Sequence, residues 1–192
     1  MPPKCRFTRE EIIQAALDLT AEKGVGALTA RGLAQRLGSS AKPIFGLFAN
    51  MEEVQQEVLK AADRHYQAYL QEDMSAGRYP PYKASGMAYI RFAREQKELF
   101  KLLFMRDRTH EEKAAGDELE ALLGLIQKNM GLSRDDAYRF HLEMWIYVHG
   151  IATMIATAYL EWDMDFISAA LTDAYQGLRL RFLPKETEGE RK

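Results

Sequence analysis

Arg31 and Lys42 stand on either side of a tight turn, Gly38-Ser39-Ser40, and this short stretch holds the clearest chemistry in the chain. Arg31 falls in the first turn of a short helix that Thr29 can cap, from where a guanidinium can reach a phosphate or a guanine edge. Ser39, Ser40 and Ala41 are small enough to let the next helix bring its N-terminus close to a nucleic acid. Free amides and the positive end of the helix dipole favour phosphate there, and Lys42 adds a full charge. Pro43 falls in the first turn, where a missing amide costs little. Other chemistries lack their parts. His65, His110, His141 and His149 show no metal-ligand spacing, and no nucleophile–base pair or phosphate loop can be found. No catalytic residue, metal or cofactor is therefore expected, and the chain is read as a non-enzyme. Cys5 is the sole cysteine, so an internal disulfide is impossible and a reducing compartment is expected.

The bulk composition agrees with a globular chain of 192 residues. Residues 1–50 carry seven Lys/Arg and four Asp/Glu, a charge of +3, so the rest carries −5 to reach the net −2. A basic head on an acidic body suits nucleic-acid binding by the head alone. The basic N-terminus is not followed by a secretory apolar segment, so a cytoplasmic location is expected. The most apolar run, Met144 to Leu160, contains His149 and is flanked by Glu143 and Glu161. It reads as a core or interface helix and not as a membrane span.

Helical spacing dominates, so the fold class is all-α, with about nine helices. Thr8 and Glu11 form a capping box that opens the first helix. Ile12, Ile13, Ala16, Leu17 and Thr20 mark its inner face, and Gly24 stops it. The second helix buries Leu33, Ala34 and Leu37 and ends at Gly38. Ser40 is expected to cap a third helix that buries Ile44 and Phe48. Asn50 with Glu53 opens a long helix from about Met51 to Met74. Pro80-Pro81 breaks the chain. Helical patterns resume at Lys83–Glu95, Glu98–Arg106, Glu111–Met130, Arg134–Trp162 and Phe166–Phe182. Residues 184–192 read as a polar, disordered tail. Two helices joined by a tight turn, the second with an exposed N-terminus, make a helix-turn-helix at about 29–48.

The stretch Ile12 to Val54 resembles the DNA-binding domain of the TetR family of regulators. The residues that carry the likeness are Ala15-Ala16-Leu17, Glu22-Lys23-Gly24, the run Leu28 to Gly38, Ser40, Pro43-Ile44-Phe45, Phe48 and Asn50-Met51-Glu52-Glu53. The resemblance implies a homodimer, a palindromic operator and a divergent C-terminal domain of about six helices. It implies a DNA-facing set of Thr29, Arg31, Ser39, Ser40, Ala41, Lys42, Pro43, Phe45 and Asn50. Phe45 stands where the family usually has a tyrosine bonded to phosphate, and Ala49 where a lysine often touches one. Gly46 and Leu47 also depart from the usual pattern. Each lost phosphate contact lowers the salt dependence of binding by about 0.9 in slope. Lys42, Arg9 and the Lys4/Arg6 arm are the cations left to compensate.

The domain reading is a DNA-binding head at 6–66 and an effector-binding and dimerisation body at 67–183. Phe92 to Phe104 also resembles the family's C-terminal domains. Trp145 to Gly150 looks like the Trp-x-x-x-His-Gly pattern of one subgroup. Gly150, Ala152 and Ala156 are small enough for close helix approach. With Tyr159, Ile167, Ala170, Leu171, Ala174 and Leu178 they are expected to form a four-helix dimer seam. Met87, Phe92, Phe104, Phe140, Met144, Tyr147 and Met154 are the candidates for an apolar effector pocket. His149 is read as a hydrogen-bonded core histidine. These parts lead to an expected function: a homodimeric repressor on a palindromic operator, released by a small, largely apolar ligand. The alternatives are a dimer without an effector, controlled by a protein partner, and an activator using the same head.

Overall fold

The computed structural model describes residues 7–107, 109 and 116–182. Cys5, the Lys4/Arg6 arm, His110, the expected helix start at Glu111 and the 184–192 tail lie outside the described residues. Nine α-helices and no strand are found among the described residues: α1 (Arg9–Lys23), α2 (Ala30–Arg36), α3 (Lys42–Phe45), α4 (Met51–Ser75), α5 (Pro81–Glu95), α6 (Lys97–Phe104), α7 (Asp117–Met130), α8 (Arg134–Ala156) and α9 (Met164–Phe182). None of these helices is long and apolar enough to cross a membrane.

The capping signals act as their chemistry dictates. Thr8 Oγ1 accepts from the Glu11 amide at 3.1 Å, and the Glu11 carboxylate accepts from the Thr8 amide at 2.8 Å. Thr29 caps α2 through the Gly32 amide at 3.0 Å, and Asn50 caps α4 through the Glu53 amide at 2.9 Å. Gly32 must be glycine, because a Cβ there would lie 2.5 Å from the Ala27 carbonyl oxygen. After α2 the chain turns through Gly38 at φ +59°, with Gly38 N–H bonded to Gln35 O at 3.1 Å and Ser39 N–H to Ala34 O at 3.0 Å. This left-handed closure satisfies two terminal carbonyls of α2.

Several element boundaries differ from expectation: α6 spans Lys97–Phe104 and not Glu98–Arg106, α9 starts at Met164 and not Phe166, and three further differences have a local cause. Ala41 caps α3, not Ser40, and no side-chain hydrogen bond supports it. Ser39 is drawn into the closure of α2, and helical backbone begins only beyond Ser40. Pro81 opens α5, two residues earlier than expected; its fixed φ and missing amide suit the first helical position. α8 stops at Ala156 and not at Trp162. Ala158 takes φ +54°, its amide bonds Ile155 O at 3.0 Å, and the Tyr159 amide bonds Met154 O at 2.9 Å. This is the same closure as at Gly38, built without a glycine. Asp163 then caps α9 through the Phe166 amide at 2.7 Å.

Three apolar clusters hold the fold. The head cluster joins Ile12, Ala16, Leu19, Leu33, Ile44, Phe48, Val54 and Val58 from α1 to α4. The central cluster joins Tyr66, Met87, Ile90, Phe92, Phe100, Ile151 and Ile167. The third packs Leu123, Ile126, Phe140 and Met144 between α7 and α8. α4 serves two clusters: Val54 and Val58 lie in the head, Ala62 and Tyr66 in the body. The boundary expected at residue 66/67 thus falls inside one continuous helix. α1 also packs on α6, so the body touches the head through two helices.

Candidate nucleic-acid interface and body cavity

The four arginines and lysines nearest the helix-turn-helix divide into two kinds. Arg9 and Arg36 are tied into the head. Arg9 donates to Leu47 O at 2.9 Å and to Glu53 Oε1 at 2.8 Å, and its guanidinium lies 4.3 Å from the Phe48 ring centroid. It therefore buttresses α1 against the start of α4 and is not the free compensating cation expected from the sequence. Arg36 pairs with Glu22 at 2.5 Å and Asp18 at 3.7 Å, tying α2 to α1. Arg31 and Lys42, by contrast, are exposed and form no ion pair among the described residues. These two side chains keep their charge available to a partner.

Electrostatics at the α3–α4 junction are organised by Glu53. Its carboxylate accepts from the Ala49 amide at 2.7 Å and from Arg9. The Ala49 amide first, and Arg9 second, hold the carboxyl below its ordinary range. Thr29, Ser40, Phe45 and Asn50 are exposed, and Ser39, Ala41 and Pro43 half-buried. Phe45 leaves 48% of its surface exposed, which is unusual for a phenylalanine in a head this small. α3 is a single turn, so its dipole is weak, and Lys42 must supply most of the positive potential.

The body contains a cavity of about 1100 Å³, walled by α4 to α9. Of the seven pocket candidates, Phe104 and Met144 line it. Met87, Phe92 and Phe140 lie in packed core off its wall, at 1% exposure or less. Tyr147 and Met154 face outward from α8, at 44% and 37% exposure. The wall is more polar than expected. Tyr66, Tyr82, Tyr89 and Tyr175 line it with His141, Trp145, Lys83 and Arg179. These residues are scattered over α4, α5, α8 and α9, and no spacing in the sequence links them.

Two tyrosine–histidine pairs join α5 to α8. Tyr82 Oη lies 3.2 Å from His141 Nδ1, and Tyr89 Oη 2.9 Å from His149 Nδ1. The pairs recur after seven residues on α5 and eight on α8, as two helices running in the same direction require. Burial pushes the Tyr82 phenol above its ordinary range and both histidines below theirs. Both directions favour a hydrogen bond between a neutral phenol and a neutral imidazole at Tyr82–His141. Trp145 stacks on His149, with centroids 4.7 Å apart and planes 10° apart. The Trp-x-x-x-His-Gly segment thus forms a Trp145–His149–Tyr89 chain that joins α8 to α5, with Trp145 and Tyr89 both on the cavity wall.

The dimer-seam candidates require a correction. Ala152, Ala156, Ile167 and Leu171 are buried inside the central cluster, at 3% exposure or less. Ala174 and Leu178 pack on the third cluster, Gly150 and Ala170 are half-buried, and Tyr159 is 76% exposed. Ala152 and Ala156 serve packing within the subunit, whereas a Cβ on Gly150 would meet nothing within 4 Å. The exposed apolar side chains of α8 include Leu142, Ile146 and Met154 instead, with Ile146 exposed to 66%. Tyr159 and Leu160, just beyond α8, and Phe166 in the first turn of α9 are exposed as well.

Comparison with protein families matched residues 12–58 to a model described as bacterial regulatory proteins, tetR family. Residues 82–175 matched a model described as tetracyclin repressor-like, C-terminal domain. Comparison with curated proteins found no match. The first match spans the α1–α4 head and the second the helices around the cavity.

Proposed function

Because this chain belongs to the TetR family of DNA-binding transcriptional regulators, we propose that it is a homodimeric repressor of a palindromic operator, released by a small organic ligand. The observation that carries the reading is the division among the head's cations. Arg9 and Arg36 hold the head together, while Arg31 and Lys42 stand exposed and unpaired on either side of the tight turn. Two such heads about 34–36 Å apart would read successive major grooves. A second copy is the partner that fits the apolar outer face of α8, because a face of this kind is rarely left to water.

Ligand control draws support from the connections of the cavity. Tyr66 of α4 and Phe104 of α6 line it, and both helices pack on α1 of the head. A ligand that moves Phe104 therefore acts on α6, and α6 bears on α1. Binding the DNA-incompatible arrangement about 100-fold better would supply roughly 2.7 kcal/mol of coupling. The cavity favours this reading over a dimer without an effector, whose body would need no such space.

The test is gel retardation with DNA from upstream of the chain's own gene. A shift that depends on both halves of a palindrome is expected, and no shift at low salt refutes the reading. Ile146→Asp is expected to give a monomer by light scattering and to abolish the shift. A variant that remains dimeric removes this face from the interface.

A further inference from the structure

Tyr66, 8% exposed, is the one buried phenol on the cavity wall without a hydrogen bond among the described residues. The oxygen is also absent from the sealed, unbonded atoms of the core, so it reaches the cavity space. Its ring packs edge-on against Phe104 at 5.2 Å and Tyr89 at 5.9 Å. Two carboxylates, Asp63 and Glu118, line the same end. Both are exposed at the rim, Asp63 without an ion pair among the described residues and Glu118 accepting only from Gln67 at 3.0 Å.

The opposite end has the reverse charge. Glu118 and Asn129 both line the cavity from α7, and eleven residues of helix separate them by about 16 Å. Lys83 lies about 9 Å along α5 from Tyr89, whose ring packs on Tyr66, and donates to Thr172 Oγ1 at 2.8 Å; Arg179 lies one turn of α9 beyond Tyr175, whose ring meets that of Tyr82 beside Lys83. Between the ends run Leu119, Leu122, Met144 and Val148.

We propose that this cavity takes an elongated, largely apolar primary amine in its protonated form, with the ammonium group at the Tyr66 end. This rests on the reading that the body receives a ligand. An ammonium has three donors and no acceptor, which matches an unbonded phenol oxygen beside two carboxylates. The aromatic ring faces add cation–π attraction. A carboxylate head would be repelled by Asp63 and Glu118, and an alcohol would gain no charge interaction. Lys83 and Arg179 disfavour the reversed orientation.

The full chain should be titrated calorimetrically at neutral pH with decylamine, decanoate and 1-decanol below their aggregation concentrations. Decylammonium should bind roughly tenfold tighter than either other probe, the equivalent of one well-placed charge contact. Tyr66→Phe should weaken the amine by about fivefold and the Asp63→Asn/Glu118→Gln pair by about tenfold, leaving decanol affinity and thermal melting unchanged. Equal or tighter binding of decanoate or decanol overturns the amine assignment, as does equal weakening of all three probes or binding of none. Operator binding is measured in parallel. An amine that binds by calorimetry but leaves operator affinity unchanged refutes ligand release while the amine site stands.

Discussion

Arg31→Ala separates a DNA contact from a structural one. Arg31 lies in the first turn of α2, exposed and without an ion pair among the described residues, so its removal takes nothing from the head's packing. If the guanidinium neutralises one phosphate, its loss lowers the salt slope by about 0.9 per head, or about 1.8 for a dimer. Raising the salt fourfold, from about 50 to 200 mM, should then shrink the affinity gap between wild type and variant by about 12-fold. If Arg31 instead reads a guanine edge, the loss is about 1–3 kcal/mol per contact, confined to one operator position and weakly salt-dependent. Fluorescence anisotropy on a labelled operator across a salt series distinguishes the two cases. Thermal melting supplies the control: Tm should not change for Arg31→Ala but should fall for Arg36→Ala, which breaks the pairs to Glu22 and Asp18. An unchanged affinity and slope, or a fall in Tm for Arg31→Ala, refutes the reasoning.

Phe45→Tyr adds a hydroxyl at an exposed position of α3 and should tighten operator binding by about fivefold per head, the worth of one hydrogen bond near 1 kcal/mol, or about 30-fold for a dimer. The salt slope should stay constant, because a neutral phenol releases no counterion; equal affinities would show that residue 45 does not reach the backbone. Ala158→Gly relieves a left-handed alanine that costs about 1–2 kcal/mol, less about 0.5–1 for the extra freedom of glycine when unfolded. A rise in Tm of about 1–4 °C is expected, and a fall would contradict the closure described for α8. Burial holds His141 and His149 below the ordinary histidine value of 6.5, so the unfolded chain binds more protons than the folded one just below that pH. Stability should therefore be full above pH 6.5 and decline as pH falls through that value towards the depressed folded pKa. A urea midpoint that is flat across this window, or His141→Gln/His149→Gln retaining the whole decline, would contradict it.

The local features of the head could be read directly from the chain. A threonine three residues before a glutamate, a glycine at a helix end and an asparagine before a charged turn each act through their nearest neighbours. Their hydrogen bonds in the structure run between residues three to five apart. α8 shows where such reading ends. Its sequence is apolar nearly all round, so periodicity alone cannot say which side faces inward. Ala152 and Ala156, expected at a dimer seam, are buried, while Leu142 and Ile146 are exposed. Ala158 stops the helix without a glycine or proline to announce it.

The helix-turn-helix and the family were determined by the sequence itself, because they depend on short-range spacing. Whether Arg9 was a DNA contact or a brace depended on Leu47, Phe48 and Glu53, about forty residues away. The cavity was likewise decided only by tertiary structure. Tyr66, Tyr82, His141 and Arg179 become neighbours only when α4, α5, α8 and α9 pack together. A residue's own segment fixes its helix and its phase, but the partner across that helix comes from elsewhere in the chain, and the partner determines whether a charge or hydroxyl is left free.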